Sequence, residues 1–429
     1  MNFRTRAACA IVTVASIAPW LSAGAQTQSP TQSPTQSPSS TEPGLINFYY
    51  NLYPEWKEQY FGTPSVAGTD VGNMGTLRND TTVLAKNASP KATTRDQNWS
   101  NSHIGFRGQL FRHGDFTLGY DLQGLIDFTG HFQQNFRTRD AFVYAEHPDF
   151  GRLSYGKMDT MYKEWGDPVR MLNISSGNIV STARMQSGVG WKAAGTTTFN
   201  NRVNHQLIWV SPQWEGLRVG ASYATRPVVA NEHVKTSLAS AAVQWRRGPW
   251  YAALVTEVHH DWLPVSNAAD TPVPAATSIR NLPTSVTSRD QGWRLSGAWI
   301  EGPWRFGADV ARLRYTEGDS VVLPGKFRSY ANYTGQVSGE YKVDASWRLA
   351  ANHARGSAGS CALSGGVSCS TNGLGGNQTS LGAMARLNDI ASLFLLAVHT
   401  RNNPAAFYGS SAQGANTNAY ALGIKLASK

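Results

Sequence analysis

The chain has 429 residues, enough for two or three ordinary domains or one large one. Its 41% hydrophobic fraction and mean hydropathy of −0.34 exclude a bundle of membrane helices, and past the N-terminus no run nears the roughly 18 apolar residues a spanning helix needs. The formal charge of +10 at pH 7 admits nucleic acid or an anionic surface as a partner, so where the charge falls matters more than its sum.

In chain order, Arg4 and Arg6 precede an apolar run from Ala7 to Leu21, and Ala23-Gly24-Ala25 supplies small residues for cleavage before Gln26. Residues 1–25 therefore read as a cleaved export signal, and no cysteine follows closely enough for a lipid anchor. Residues 26–44 repeat Thr, Gln, Ser and Pro and cannot bury a core, which predicts a disordered spacer. From residue 45 to 429 the pattern changes to runs of 10 to 15 residues with period two. In "DFTLGYDLQGLIDFTG" (115–130), Phe116, Leu118, Tyr120, Leu122, Ile126 and Phe128 share one face, with Asp121 and Asp127 on the other.

Short gaps join these runs in pairs: 112–115, 146–151, 211–216, 246–250, 300–304, 341–347 and 386–392, most with Gly, Pro, Asn or Asp. Long polar gaps alternate with them: 62–98, 130–136, 161–200, 227–234, 263–287, 317–327, 357–376 and 402–415. The sum is an all-β chain of sixteen antiparallel strands with short turns at one end and long loops at the other. A soluble sandwich has no reason to sort its connections this way; a transmembrane β-barrel of the outer membrane does. Trp214, Trp250, Trp304 and Trp347 beside the short turns suit an interfacial girdle. The phase of 235–246 and 250–262 is ambiguous, and His205 falls on the apolar face, which suggests a subunit contact.

With that phase, Arg107, Arg137, Arg139, Arg152, Arg202, Arg218, Arg294, Arg305, Arg348, Arg386 and Lys425 face the lumen, against Asp121, Asp127, Asp309 and Glu340. Eleven bases against four acids predict a positive lumen with weak anion preference, unless the arginines merely pair with acids. Cys361 and Cys369, close together in a Gly/Ser-rich loop of an exported chain, are expected to form a disulfide. No metal site is expected, and no cofactor. His259-His260 with Asp261 is the most tempting catalytic cluster. Adjacent strand residues point to opposite faces, however, so a solvated strand end is the expectation and an outer-membrane enzyme is the lesser reading.

Three stretches then resemble the general diffusion porins of Gram-negative outer membranes: "SHIGFRGQL" (102–110), "FRTRDAFVYAEHPDFGRLSYGKMD" (136–159) and "NNRVNHQLIWVSPQWEGLRVGASYA" (200–224). The resemblance implies a trimer of sixteen-stranded barrels whose third long loop, here 159–200, folds inward to narrow the pore. It implies a basic wall of Arg107, Arg137, Arg139, Arg202 and His103, with Asn51 at the matching position on the first strand. It implies constriction-loop acids at Asp159, Glu164 and Asp167. It also implies passive diffusion of small hydrophilic solutes and ions, no enzyme activity, and contact with outer-membrane lipid and lipopolysaccharide rather than nucleic acid. A phosphate/anion- or sugar-selective channel of the same fold is the alternative; aromatics in phase for sugar are limited to Tyr49 and Tyr53. The chain departs from the family at the C-terminus, where Ser428 and Lys429 replace a terminal Phe, so either assembly is less efficient or another aromatic serves instead.

Overall fold

The computed structural model describes residues 46–62, 93–99, 101–129, 136–167, 170–174, 178–187, 190, 199–225, 236–261, 286–319, 327–409 and 413–428. The expected signal (1–25) and spacer (26–44) lie outside the described residues, as do parts of the long loops. Nineteen strands are present among the described residues. They are β1 (Ile46–Leu52), β2 (Glu55–Phe61), β3 (Thr93–Asn98), β4 (His103–His113), β5 (Phe116–Ile126), β6 (Phe136–His147), β7 (Gly151–Asp159), β8 (Arg202–Val210), β9 (Leu217–Thr225) and β10 (Ser237–Arg247). They continue as β11 (Trp250–His260), β12 (Val286–Glu301), β13 (Trp304–Asp319), β14 (Phe327–Lys342), β15 (Trp347–Gly356), β16 (Ser360–Leu363), β17 (Gly376–Arg386), β18 (Ala391–Asn402) and β19 (Thr417–Ala427).

Three pairs are single barrel strands with a break. β1 and β2 keep one register against β19, from Asn51↔Ala427 to Phe61↔Thr417, across Pro54. Proline cannot donate to the ladder, yet its carbonyl still accepts from Ile424 N at 3.0 Å. β3 and β4 run on together against β2 and β1, and β15 and β16 against β14. The result is sixteen antiparallel barrel strands, closed where the last meets the first. Ser428 N completes the seam by donating to Tyr50 O at 3.0 Å.

The turns follow from local chemistry. Gly248-Pro249 and Gly302-Pro303 join β10 to β11 and β12 to β13, each with a positive φ at the glycine (55° and 56°) and proline next. That is the sequence of a II′-type hairpin turn. Between β14 and β15, the Asp344 carboxylate accepts from Ser346 N and Trp347 N at 2.7 and 2.8 Å, and these two bonds hold its carboxyl below the usual range.

One face of the sheet exposes Leu295, Val310, Val337, Leu381, Leu395 and Leu422, while the other buries Glu257, Arg294, Asn332, Gln336 and Ser380. A water-soluble sandwich would reverse this; a barrel in lipid requires it. The ambiguous strands fall in line, with Val243, Trp245 and Leu254 outward and Leu238, Ala242, Ala253 and Val255 inward. Two positions depart from regular strand geometry. β5 ends at Ile126, so Asp127 does not project from the strand but accepts from Thr129 N at 2.9 Å. His205 sits in a β-bulge: between the pairs Gly156↔Gln206 and Met158↔Val203, one residue of β7 faces both Asn204 and His205. His205, with φ at 52°, is exposed on the outward face in phase with Leu207 and Trp209, where alternation had placed it.

Candidate functional site

Among its described residues the segment after β7 carries two short α-helices, α1 (Met161–Gly166) and α2 (Ala183–Ser187). It is apolar where the inward wall is apolar. Met161, Tyr162, Trp165 and Phe199 pack with Ile208, Ala242, Val255, Leu313 and Tyr315. The wall opposite is cut back to Gly220 and Gly292, where any Cβ would stand within 3.0 Å of Met161 Sδ or of the Phe199 ring. A second cluster sets Met171, Leu172, Ile174 and Val180 against Phe394, Leu396 and Val398 of β18. Each fully buried side chain of this kind contributes about 1.5–3 kcal/mol.

Polar ties hold the same segment to inward side chains around the wall. Tyr251 Oη donates to Trp165 O at 2.7 Å, and Ser296 Oγ to Gly166 O at 2.6 Å. Leu172 N donates to Glu340 Oε2 at 3.1 Å, and Thr182 Oγ1 to Gln336 Oε1 at 2.9 Å. Lys425 Nζ donates to Asn173 O at 3.1 Å, and Phe407 N in the last long loop to Gly190 O at 2.8 Å.

The residues expected to form the basic wall converge on a ladder of alternating sign. Arg107 lies over the Tyr49 ring, 4.9 Å from its centroid, and Tyr49 Oη donates to Asp121 Oδ1 at 2.5 Å. Gln123 Nε2 donates to Asp121 Oδ1 at 3.2 Å and its Oε1 accepts from Arg139 Nη1. Arg139 also donates to Asp140 at 2.5 Å. Arg202 pairs with Asp140 at 2.5 Å and with Asp159 at 3.0 Å, and Lys163 of α1 pairs with Asp159 at 2.9 Å. His103 is buried beside Asn51, Nε2 to Nδ2 3.5 Å. Arg137 is exposed at the start of β6.

Asp140 was not expected. Between the pairs Leu122↔Ala141 and Gly124↔Thr138, Gln123 of β5 faces two residues of β6, Arg139 and Asp140. This bulge buries both side chains together, which simple alternation forbids. On the far side of the segment Arg294 bonds Asp309 at 2.7 Å and Gln186 at 2.9 Å, with Asp167 4.0 Å away. Arg305 and Arg348 lie 3.9 and 3.4 Å from Glu340, and Arg218 is half-buried on β9. In the segment itself, burial raises the Glu164 carboxyl above the usual range.

The expected inward charges are joined by others and largely engaged with one another. Glu55, Asp140, Glu257 and Asp290 are further buried acids, and most of the named arginines are paired or stacked. His259 is corrected. It is fully buried rather than solvated, 2.8 Å from Glu257, 3.8 Å from Asp290, and stacked under Phe199 at 4.7 Å. Only His260 is exposed. Cys361 on β16 and Cys369 beyond it are joined by a disulfide. Among the described residues no His/Cys/Asp/Glu group is arranged to hold a metal ion.

An apolar exterior, a polar interior and a segment drawn against the inner wall define a barrel channel. The Gram-negative porin family model matches residues 71–425, and the chain belongs to that family. In fold it is similar to the anion-selective porin from Comamonas acidovorans, with TM-score 0.61 and 14% identity over 90% of this chain and 99% of that one. It is also similar to the outer membrane channel DcaP of Acinetobacter baumannii (TM-score 0.55, 13% identity, 89% and 97% covered). Salmonella typhi OmpF in complex with daunomycin is a third (0.54, 10%, 89% and 97%). No curated protein matches in sequence. Family and fold together indicate the outer membrane and support a channel for passive diffusion rather than an enzyme.

Proposed function

We propose that the protein is a general diffusion porin, a water-filled channel for small hydrophilic solutes and ions with weak anion preference. It works as a homotrimer, exported by a cleaved signal. The observation that carries this reading is the ladder from Arg107 to Lys163, which runs along the inner wall and onto the segment 159–200. That segment is the constriction. Arg107, Arg139 and Arg202 are its basic side, with His103 and Arg137 flanking; Asp159, Glu164 and Asp167 are its acids. Diffusion needs only a hole and a wall whose charge sets ion preference. Four cations alternate with Asp121, Asp140 and Asp159 along the ladder, so the surplus is small and the preference weak. The name of the Comamonas relative, anion-selective, agrees in sign.

The test is the reversal potential of the purified protein in a planar bilayer under a KCl gradient. A small potential of anion-selective sign is expected; a clear cation preference would contradict the assignment.

A further inference from the structure

A cavity of about 50 Å³ lies between the inward-folded segment and the inner face of β12, β14 and β15. The wall contributes Arg294, Gln336 and Asn352, and the segment contributes Lys163, Asp167 and Arg170. Met171, Ile174 and Val180 add an apolar border. The polar wall is one bonded network. Asn352 Nδ2 donates to Gln336 Oε1 at 3.1 Å, and Gln336 Nε2 donates to Asp309 Oδ2 at 2.6 Å and to Asp167 Oδ1 at 3.3 Å. Asp309 in turn accepts from Arg294 Nη2 at 2.7 Å.

Two buried atoms stand outside this network. Arg294 Nε, a donor, and Asn352 Oδ1, an acceptor, find no hydrogen-bond partner among the described residues, and each residue is only 6% exposed. Buried polar atoms are satisfied by protein, by water or by a ligand. One donor and one acceptor left over on residues of the same cavity wall suit a molecule that carries both functions.

Charge and size narrow its class. Three cations and one carboxylate line the cavity, but Lys163 is paired with Asp159 at 2.9 Å and Arg294 with Asp309 at 2.7 Å. With those partners counted, three bases stand against three carboxylates. A balanced site offers a lone ion little return for its lost hydration, whereas poles of opposite sign suit a dipolar molecule. A water needs about 10–15 Å³ of such space, so about four fit, the room of about six non-hydrogen atoms. Sugars are larger than that and carry no charge.

We infer that this cavity is a binding subsite for small zwitterionic solutes, the short-chain α-amino acids. The carboxylate accepts from Arg294 Nε on the side of Arg170, and the ammonium donates to Asn352 Oδ1 on the side of Asp167. A short alkyl side chain lies toward Met171, Ile174 and Val180. The inference rests on the channel reading and names a solute class for it.

Purified protein in detergent is titrated with L-alanine, with propionate and with ethylamine, and binding is read by ligand-observed NMR. The KCl conductance of the same preparation is recorded in a planar bilayer. Saturable binding of alanine is expected, with propionate and ethylamine each at least about tenfold weaker, because each lacks one charge-assisted contact. N352A removes the unmet acceptor and should weaken alanine at least about tenfold while leaving the weaker propionate binding as it was. D167N is the second variant should N352A fail to fold. Propionate as tight as alanine would assign the cavity to simple anions, and ethylamine as tight would assign it to cations; either overturns the inference. So would the absence of saturable binding by all three, or full-strength alanine binding by the folded variants. Conductance without alanine binding sinks this inference alone; alanine binding without conductance sinks the channel reading, while the site itself stands.

Discussion

Asp140 stands between two guanidinium groups, 2.5 Å from each of Arg139 and Arg202, and decides how much of their charge the pore sees. The change D140N removes one negative charge from between the arginines and leaves Arg202 with Asp159 alone, so anion permeability relative to cation permeability should rise. R139Q should lower that ratio, and because Arg202 still pairs with Asp140 its cost in stability should stay below the about 3–5 kcal/mol of a buried charge left with no partner. Reversal potentials and thermal unfolding of the two variants check both signs. Glu164 supplies a pH test. Its burial-raised carboxyl takes up a proton at higher pH than an ordinary glutamate, so it loses its charge early as pH falls. Anion preference should therefore grow on acidification. The folded barrel holds that proton more tightly than the unfolded chain, so the stability linked to this group is present at low pH and fades as pH rises. E164Q should flatten the pH dependence of selectivity; an unchanged slope would remove Glu164 from the account. None of Asp140's role was legible in the sequence. Strict alternation puts Asp140 opposite Arg139, and only the bulge, an irregularity with no residue signature here, brings them together.

Elements were legible where their two faces differ in polarity, and obscure where they do not. The alternation of short and long gaps placed all sixteen barrel strands, since turn chemistry and period two are local properties of the chain. β18 shows the limit. Phe394, Leu396 and Val398 line its inward side while Leu393 and Leu395 line its outward side, so periodicity alone gives no phase. The reason is long-range: the inward residues are covered by Met171, Leu172 and Val180. Likewise His259 read as solvated because Phe199, which covers it, is 60 positions away in the chain. The same packing makes a prediction. A Cβ at Gly292 already stands 2.9 Å from Phe199 Cδ1 and 3.1 Å from Tyr162 Cε2. G292L should displace α1 and raise single-channel conductance; an unaltered conductance in a folded barrel would mean that the segment does not narrow the pore. The Cys361–Cys369 disulfide packs beside the cluster that includes Leu374, Ala405 and Tyr330. Replacing both cysteines by serine should loosen that loop by about 2–3 kcal/mol, read as faster subtilisin cleavage between residues 357 and 376 with conductance unchanged.

At the scale of the molecule, the inside-out distribution of polarity is what makes a closed sheet a membrane protein. Apolar rungs bordered by a tryptophan edge face lipid, and the buried polar network faces inward. Backbone pairing through all sixteen barrel strands leaves no open edge, which the hydrocarbon layer demands. Sequence patterning carries this architecture because it needs only one polarity per face. The charge balance of the lumen depends on the pairs themselves, which a count of arginines does not show. The central claim is that the barrel encloses an open path for ions. Adding the purified, folded protein to a planar lipid bilayer in KCl tests it most directly. Stepwise current increases that scale linearly with voltage at low potential are predicted; a correctly folded barrel that inserts and carries no current would contradict the account.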